Sequence, residues 1–477
     1  MRFLSRGLAI LTLLPLVGAA GCGGDAVGDG GGAAPSSSCL QSMGDGEATI
    51  AVVGAPQEIA EATSQAMNTL DEEGSPITGR LTPPLAVGLC GTAGLIYLDG
   101  HEGSPTLFYL DVTAAGGVPE VVDPSVSWSD AEAALLFDAA CTPHVIGSTL
   151  EDTLVDHARG KDGGWTPTIV AADAALGGAP DPIRFQHTDL SGDGSMRVLG
   201  TARVANALTP FVASRGPGGA WAITAYPPHP EAQEVLAWAP ANDGSIHAVY
   251  RKPNTYPCDP CDMNLYWGKV VPGGTWEEGQ VTDTVWGKPD DRFTDQPDLA
   301  ITAAGEPVIV GRWQRRAATG SIKESELRVY APAGDGAWCY ETIATKPDGY
   351  GGGDGEEYTG EMPQVAVDGA GRIHVAFHDL AEWHDANSWE NGIQGQLRYA
   401  LRDGTSWTVT TLLKQPGQSE SPSPLHGFVR GMVAPTSDGT AAFLTGIQRI
   451  WETDSIYNDS GKPITFKAQV FRATVTD

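Results

Sequence analysis

The stretch Met362–Leu412, MPQVAVDGAGRIHVAFHDLAEWHDANSWENGIQGQLRYALRDGTSWTVTTL, holds four runs rich in β-branched and aromatic residues: PQVAVD, IHVAFHD, QLRYAL and WTVTTL. Gly, Asp and Ser punctuate them at DGAGR and RDGTS, and a longer polar segment separates the middle pair. Runs of this kind bounded by turn residues predict a small antiparallel sheet of four strands. One such sheet is not stable alone, so the unit is expected to recur.

Two marks carry the recurrence. A glycine-containing turn runs into tryptophan at Gly163-Gly164-Trp165, Gly218-Gly219-Ala220-Trp221, Gly273-Gly274-Thr275-Trp276, Asp335-Gly336-Ala337-Trp338 and Asp403-Gly404-Thr405-Ser406-Trp407. A second glycine precedes the second strand at Gly194, Gly244, Gly305, Gly371 and Gly439. Worn units at Pro83–Val122 and Pro124–Ala171, and a last one near 425–475, bring the total to seven. Repeated four-stranded sheets in one chain predict an all-β propeller of seven blades, although six or eight fit the same length. Glu47–Val53 reads as a strand able to pair into the last blade and lock the ring. Ile59, Ala62, Ala66 and Leu70 stand at helical spacing, which predicts one short helix over Pro56–Glu73, ended by Gly74.

Charge narrows the partners. Among 477 residues, 29 Lys and Arg face 59 Asp and Glu, a formal charge of −30. Such a surface repels phosphate backbones, so nucleic acid is not an expected partner. Residues 1–21 carry Arg2, Arg6 and an apolar run from Leu8 to Val17, then Gly18-Ala19-Ala20-Gly21 before Cys22. That pattern is an export signal too short to serve as a spanning helix. It resembles a bacterial lipobox, which implies cleavage before Cys22 and lipidation of its thiol, with a plain secreted protein as the alternative. Residues 22–46, rich in Gly and Ser, read as a flexible tether, and 47–477 as the propeller domain. The expected address is the cell envelope, at an outer membrane or periplasmic face, with Gly23 leaning outward by resemblance to Gram-negative sorting. Six further cysteines, Cys39, Cys90, Cys141, Cys258, Cys261 and Cys339, suit an exported, disulfide-containing chain whose pairing is left open. Cys258 and Cys261 read as a loop-closing disulfide, with half a zinc site or a redox pair as alternatives.

The segment DGAGRIHVAFHD followed by QLRYALRDGTSW resembles the propeller repeats of sialidase-like and lectin-like proteins. The strict Ser-x-Asp-x-Gly-x-x-Trp box of sialidases is absent. The resemblance implies a glycan as ligand. Its enzymatic form would need a carboxylate-binding arginine cluster, for which Arg184, Arg251, Arg312 and Arg430 are available. Separately, Asp189-Leu190-Ser191-Gly192-Asp193-Gly194 resembles the calcium turn of integrin-type repeats, with Arg197 where a further acid is expected.

In a propeller the first-to-second and third-to-fourth turns share one face, while the second-to-third and blade-to-blade connections share the other. Here the long segments, including 313–326, 346–361 and 379–396, all belong to the second face, which makes it the expected binding face. Seven residues after three aligned glycines stand Arg251, Arg312 and His378, a set able to hold a carboxylate or sulfate. The alternative is pairing with loop acids such as Glu361, Asp298 or Asp379. Trp383 and Trp389 offer indole faces for a sugar. Asp354, Glu356 and Glu357 lie in an acidic loop that calcium could order. No G-x-S-x-G elbow, HExxH, phosphate loop or dinucleotide fingerprint is present. The expected function is a binding module for a glycan or protein partner, membrane-anchored through its lipid, with a sialidase-like or other glycoside hydrolase as the alternative.

Overall fold

Each unit opens on the same tight turn. In the computed structural model, the amides of Gly91, Cys141, Gly194, Gly244, Gly305, Gly371 and Gly439 donate to the carbonyls of Gly88, Asp138, Ser191, Ala241, Thr302, Asp368 and Thr436, three residues back in each case. All seven donors have positive φ, between 61° and 86°. That conformation suits glycine because a Cβ crowds the backbone there. Cys141 takes it without being glycine. The tryptophan-linked turns use the same device at Gly163, Gly218, Gly273, Gly336 and Gly404.

The structure describes residues 34–35, 40, 49–63, 85–99, 106–113, 117–124, 133–148, 153–171, 184–191, 193–204, 207–229, 234–253, 263–282, 290–317, 322–334, 336–345, 357–384, 391–414, 426–450 and 465–476. Within the unit Gly31–Asp477 these form seven antiparallel sheets, the blades of a propeller, with no helix among the described residues. Blade 1 spans Leu85–Val121, blade 2 Ala133–Ala171, blade 3 Arg184–Ala225 and blade 4 Glu234–Gln280. Blade 5 spans Asp290–Thr345 and blade 6 Glu357–Lys414. Blade 7 takes three strands from the C-terminus, His426–Pro435, Ala441–Ile450 and Thr465–Thr476, and its outer strand, Thr49–Thr63, from the N-terminus.

That outer strand confirms the expected closure and corrects the expected helix. Thr49 pairs with Thr476 and the ladder continues, with two bulges, to Thr63 opposite Thr465. Residues 57–63 are therefore strand, and 64–73 lie outside the described residues. Helical spacing of a few apolar side chains was outweighed by the open backbone edge of Thr465–Thr476, whose N–H and C=O groups need a partner. Within the stretch expected as tether, Ala34–Pro35 runs parallel to the outer strand of blade 5, with Ala34 opposite Cys339. Leu40 is buried there, donating its N–H to Glu341 and accepting from Arg402.

Alternation along each strand sends apolar side chains into both inter-blade layers. Between blades 5 and 6, Val308, Val310, Leu327 and Val329 meet Val375, Phe377 and Ala400. Each large side chain so buried contributes on the order of 2 kcal/mol. Polar clasps flank the layers. Arg159 reaches back to Glu120, Arg215 to Asp156 and Arg402 to Glu341, each pairing the third strand of one blade with a carboxylate of the blade before. The indole N–H groups of Trp221 and Trp407 donate to Asp156 and Glu341. Around the inner strands, Gln296 and Asp298 accept from the amides of Met362 and Val365, and Gln364 accepts from that of Val433.

Candidate functional site

The second and third strands of blades 5 and 6 are long, 11 to 13 residues each. Segments expected as loops at 313–326 and 379–396 are largely ladder: Arg316 pairs with Ile322, and His384 with Asn391. Their polar composition hid the strands. Two hairpins therefore carry the far ends of blades 5 and 6.

Strand parity decides what these ends hold. Val308 and Val310 face blade 6, so Arg312 and Gln314 on the same strand face it too, as does Ser325 beside Leu327. From blade 6, Asp379 and Arg398 face back, in line with Phe377 and Ala400. Above the apolar layer the two blades thus meet through a polar belt. The Ser325 hydroxyl donates to the Thr359 carbonyl and accepts from the Thr359 amide, both at 3.1 Å. The Thr359 hydroxyl donates to one Asp379 oxygen, and Arg398 Nη1 donates to the other at 2.8 Å. Burial pushes the Asp379 carboxyl above its ordinary range, with Arg398 and Thr359 pulling the other way. Gly360, at φ 78°, permits the close approach: a Cβ there would lie 2.8 Å from that of Leu327.

Gln314 stands out in this belt. It is fully buried, and neither its amide oxygen nor its amide nitrogen has a hydrogen-bond partner. Arg398 Nε is likewise buried without one. Nearly all buried polar atoms in folded proteins are paired, so the Gln314 amide and Arg398 Nε need a reason. Gln314 and Ser325 were not singled out by the sequence; the signal available was a polar residue at an inward strand position.

The other expected site residues are placed as follows. Arg251, Arg312 and His378 do occupy equivalent strand positions, on the faces turned toward blades 5, 6 and 7 respectively, as the packing of Val249, Val310 and Ala376 shows. They thus enter three separate inter-blade layers and do not converge. Arg312 and His378 are 6% and 1% exposed. Trp383 lies opposite Gly392 on the blade 6 hairpin, and Glu357 opens the inner strand of that blade opposite Ala381. Trp389, Asp354, Glu356, Cys22, Cys258 and Cys261 lie outside the described residues. Among the described residues no group of three or more His, Cys, Asp and Glu side chains gathers as a metal site. In the turn that resembles a calcium loop, Asp189 is paired with Arg197 through both carboxylate oxygens, so a guanidinium supplies the positive charge there. Cys90 and Cys141 form a disulfide joining the opening turns of blades 1 and 2, and Cys339 is also disulfide-bonded.

No protein-family model matches the chain, and no curated protein sequence does. Among solved structures it is similar to an ulvan lyase of polysaccharide lyase family PL25, at 10% identity over 85% of this chain and 94% of that one, with a TM-score of 0.44. It is also similar to the Aleuria aurantia lectin AAL, crystallised with Fucα1-6GlcNAc, at 14% identity over 70% and 94% of the two chains and a TM-score of 0.34. A subtype N10 neuraminidase-like protein from a little yellow-shouldered bat isolate matches at 10% identity over 88% and 100%, with a TM-score of 0.34.

Proposed function

We propose that the chain is a carbohydrate-binding propeller, displayed outside the cytoplasm on a lipid attached to Cys22, that takes a glycan at the blade 5 and 6 end of its long-connection face. The observation that carries this reading is the belt of Gln314, Ser325, Thr359, Asp379 and Arg398, in which the Gln314 amide and Arg398 Nε are buried without partners. A purely structural layer at this position gains more from apolar side chains, because each unsatisfied buried group costs about 1–3 kcal/mol. Retaining the amide is explained by a ligand that completes its hydrogen bonds. The indoles expected from the sequence to stack a sugar, Trp383 and Trp389, belong to the same reading. A glycan array probed with the full chain tests the reading: binding by at least one oligosaccharide class supports it, and silence across the array counts against it. For the anchor, Cys22→Ser is expected to release the protein from membranes.

One observation favours an enzyme instead. A carboxyl raised by burial, as at Asp379, is the form a general acid takes in glycoside cleavage. Turnover of a fluorogenic glycoside panel, abolished in Asp379→Asn, would establish that alternative. Binding without turnover leaves the module reading in place.

A further inference from the structure

Cys339 is disulfide-bonded, and its partner is neither Cys90 nor Cys141, which are joined to each other. The cysteines left are Cys22, Cys39, Cys258 and Cys261. Strand parity narrows them. Cys339, near the start of the outer strand Ala337–Thr345, packs in the layer between blades 5 and 6 together with Leu40, Leu327 and Val375. Glu341, two residues on, accepts the Leu40 amide at 3.2 Å, and Arg402 of blade 6 donates to the Leu40 carbonyl at 3.0 Å. Ala34 lies opposite Cys339 itself. The N-terminal segment therefore meets blade 5 at Cys339 on both sides of Cys39, which is covalently next to Leu40.

Cys258 and Cys261 belong to the connection between Pro253 and Met263 of blade 4. Blade 4 packs on the other face of blade 5, the one carrying Ile309, Tyr330 and Trp338. That connection also leaves the end of the blade opposite to the turn from which Ala337–Thr345 starts. A disulfide needs its two Cβ atoms about 4 Å apart, so either cysteine would have to run back along blade 4 and cross the blade 5 sheet. We propose that Cys39 and Cys339 form a disulfide that rivets the N-terminal segment to the outer strand of blade 5. The two thiols give up two protons and two electrons to a disulfide-bearing oxidant of an exporting compartment, which leaves as its dithiol. Cys258 and Cys261 then remain to pair with each other, and Cys22 keeps its thiol. The bond makes a strap of the chain between Ala34 and Thr63, held at the edge of blade 5, at the seam with blade 6 and in the sheet of blade 7. It also encloses blades 1 to 4 and most of blade 5 in one covalent loop. A pull applied upstream of Cys39 enters blade 5 through this bond and bypasses the ladder between Thr49–Thr63 and Thr465–Thr476.

The test takes the full chain produced by secretion, blocks free thiols, and digests it at aspartates without reductant. Asp25, Asp29 and Asp45 separate Cys39 from Cys22, and Asp335 and Asp348 isolate Cys339. Mass spectrometry is expected to find the Cys39 and Cys339 peptides joined, and to find them apart after reduction. Cys339 joined to Cys258, Cys261 or Cys22, or either Cys39 or Cys339 recovered with a blocked free thiol, overturns the pairing. Thermal unfolding of Cys39→Ser, Cys339→Ser and the double variant tests the rivet. Each single change is expected to lower the midpoint by several degrees, and the double change to lower it no further, because either one already opens the loop. Midpoints equal to wild type overturn the rivet, as do single losses that add in the double variant. If the variants fail to fold, the peptide map of the wild-type chain still decides the pairing. Neither measurement uses a glycan, so their outcome is independent of the carbohydrate reading.

Discussion

At the scale of single residues, the buried polar groups divide into those fully engaged and those left waiting. His247 belongs to the first kind. It is 1% exposed, accepts from the Trp267 indole at 3.1 Å and contacts the Ser245 hydroxyl at 3.3 Å. Burial first, and the nearby Lys269 ammonium second, hold its pKa down to about 4, against a smaller opposing pull from Asp243. A base with a depressed folded pKa stabilises the fold above its unfolded value and loses that contribution as pH falls through the folded one. Between pH 6.5 and 4 this residue therefore withdraws up to roughly 3 kcal/mol. Urea midpoints measured across that window are expected to fall less in His247→Gln than in wild type. Parallel slopes would show that another group controls acid unfolding. Asp368 is engaged in a similar way: burial alone would raise its carboxyl, yet hydrogen bonds from His374 and Arg372 hold it below the ordinary range.

Elements show why the repeat was legible and where it stopped. The glycines of the opening and tryptophan-linked turns could be read directly, because positive φ leaves few residues to choose from. Blade 2 was worn in the sequence for a related reason: Cys141 fills the glycine place of its opening turn. The sequence alone leaves the Cys90–Cys141 pairing open, although both cysteines fall in the same turn of adjacent units, which is the signal that identifies it. The outer strand at 57–63 was misread because side-chain periodicity does not record a backbone edge elsewhere in the chain. Gln314 and Ser325 were invisible for a third reason, since their meeting with Thr359 depends on the parity of strands in two blades. The clasps explain two of the repeat tryptophans, Trp221 and Trp407, whose indoles donate to the clasp carboxylates. Arg402 and Glu341 are 2% and 7% exposed, and Trp407 and Leu40 bond to the same pair. Arg402→Met leaves the Glu341 carboxylate buried with less compensation and is expected to cost about 3 kcal/mol. Arg402→Met with Glu341→Met should cost less than the sum of the single changes in a double-mutant cycle; strict additivity would remove the clasp from the explanation.

For the whole molecule, closure of the ring matters most. Thr49–Thr63 joins the N-terminal part of the chain to its C-terminal strand, so blade 7 is complete only when both ends are present. Deleting residues 49–63 exposes the edge of Thr465–Thr476 and is expected to broaden the thermal transition and promote self-association, read by calorimetry and light scattering. A variant that stays monomeric with an unchanged transition would show that three strands suffice. The charge of −30 gives the surface a field that repels anions. Bound calcium at Asp354, Glu356 and Glu357 would show itself as a melting point that drops with chelator. The most direct test of the central claim is a glycan array probed side by side with wild type and a Gln314→Leu, Arg398→Met double variant. The expected result is binding by wild type that falls at least tenfold in the variant. Equal binding by the two proteins, or none by wild type, would contradict it.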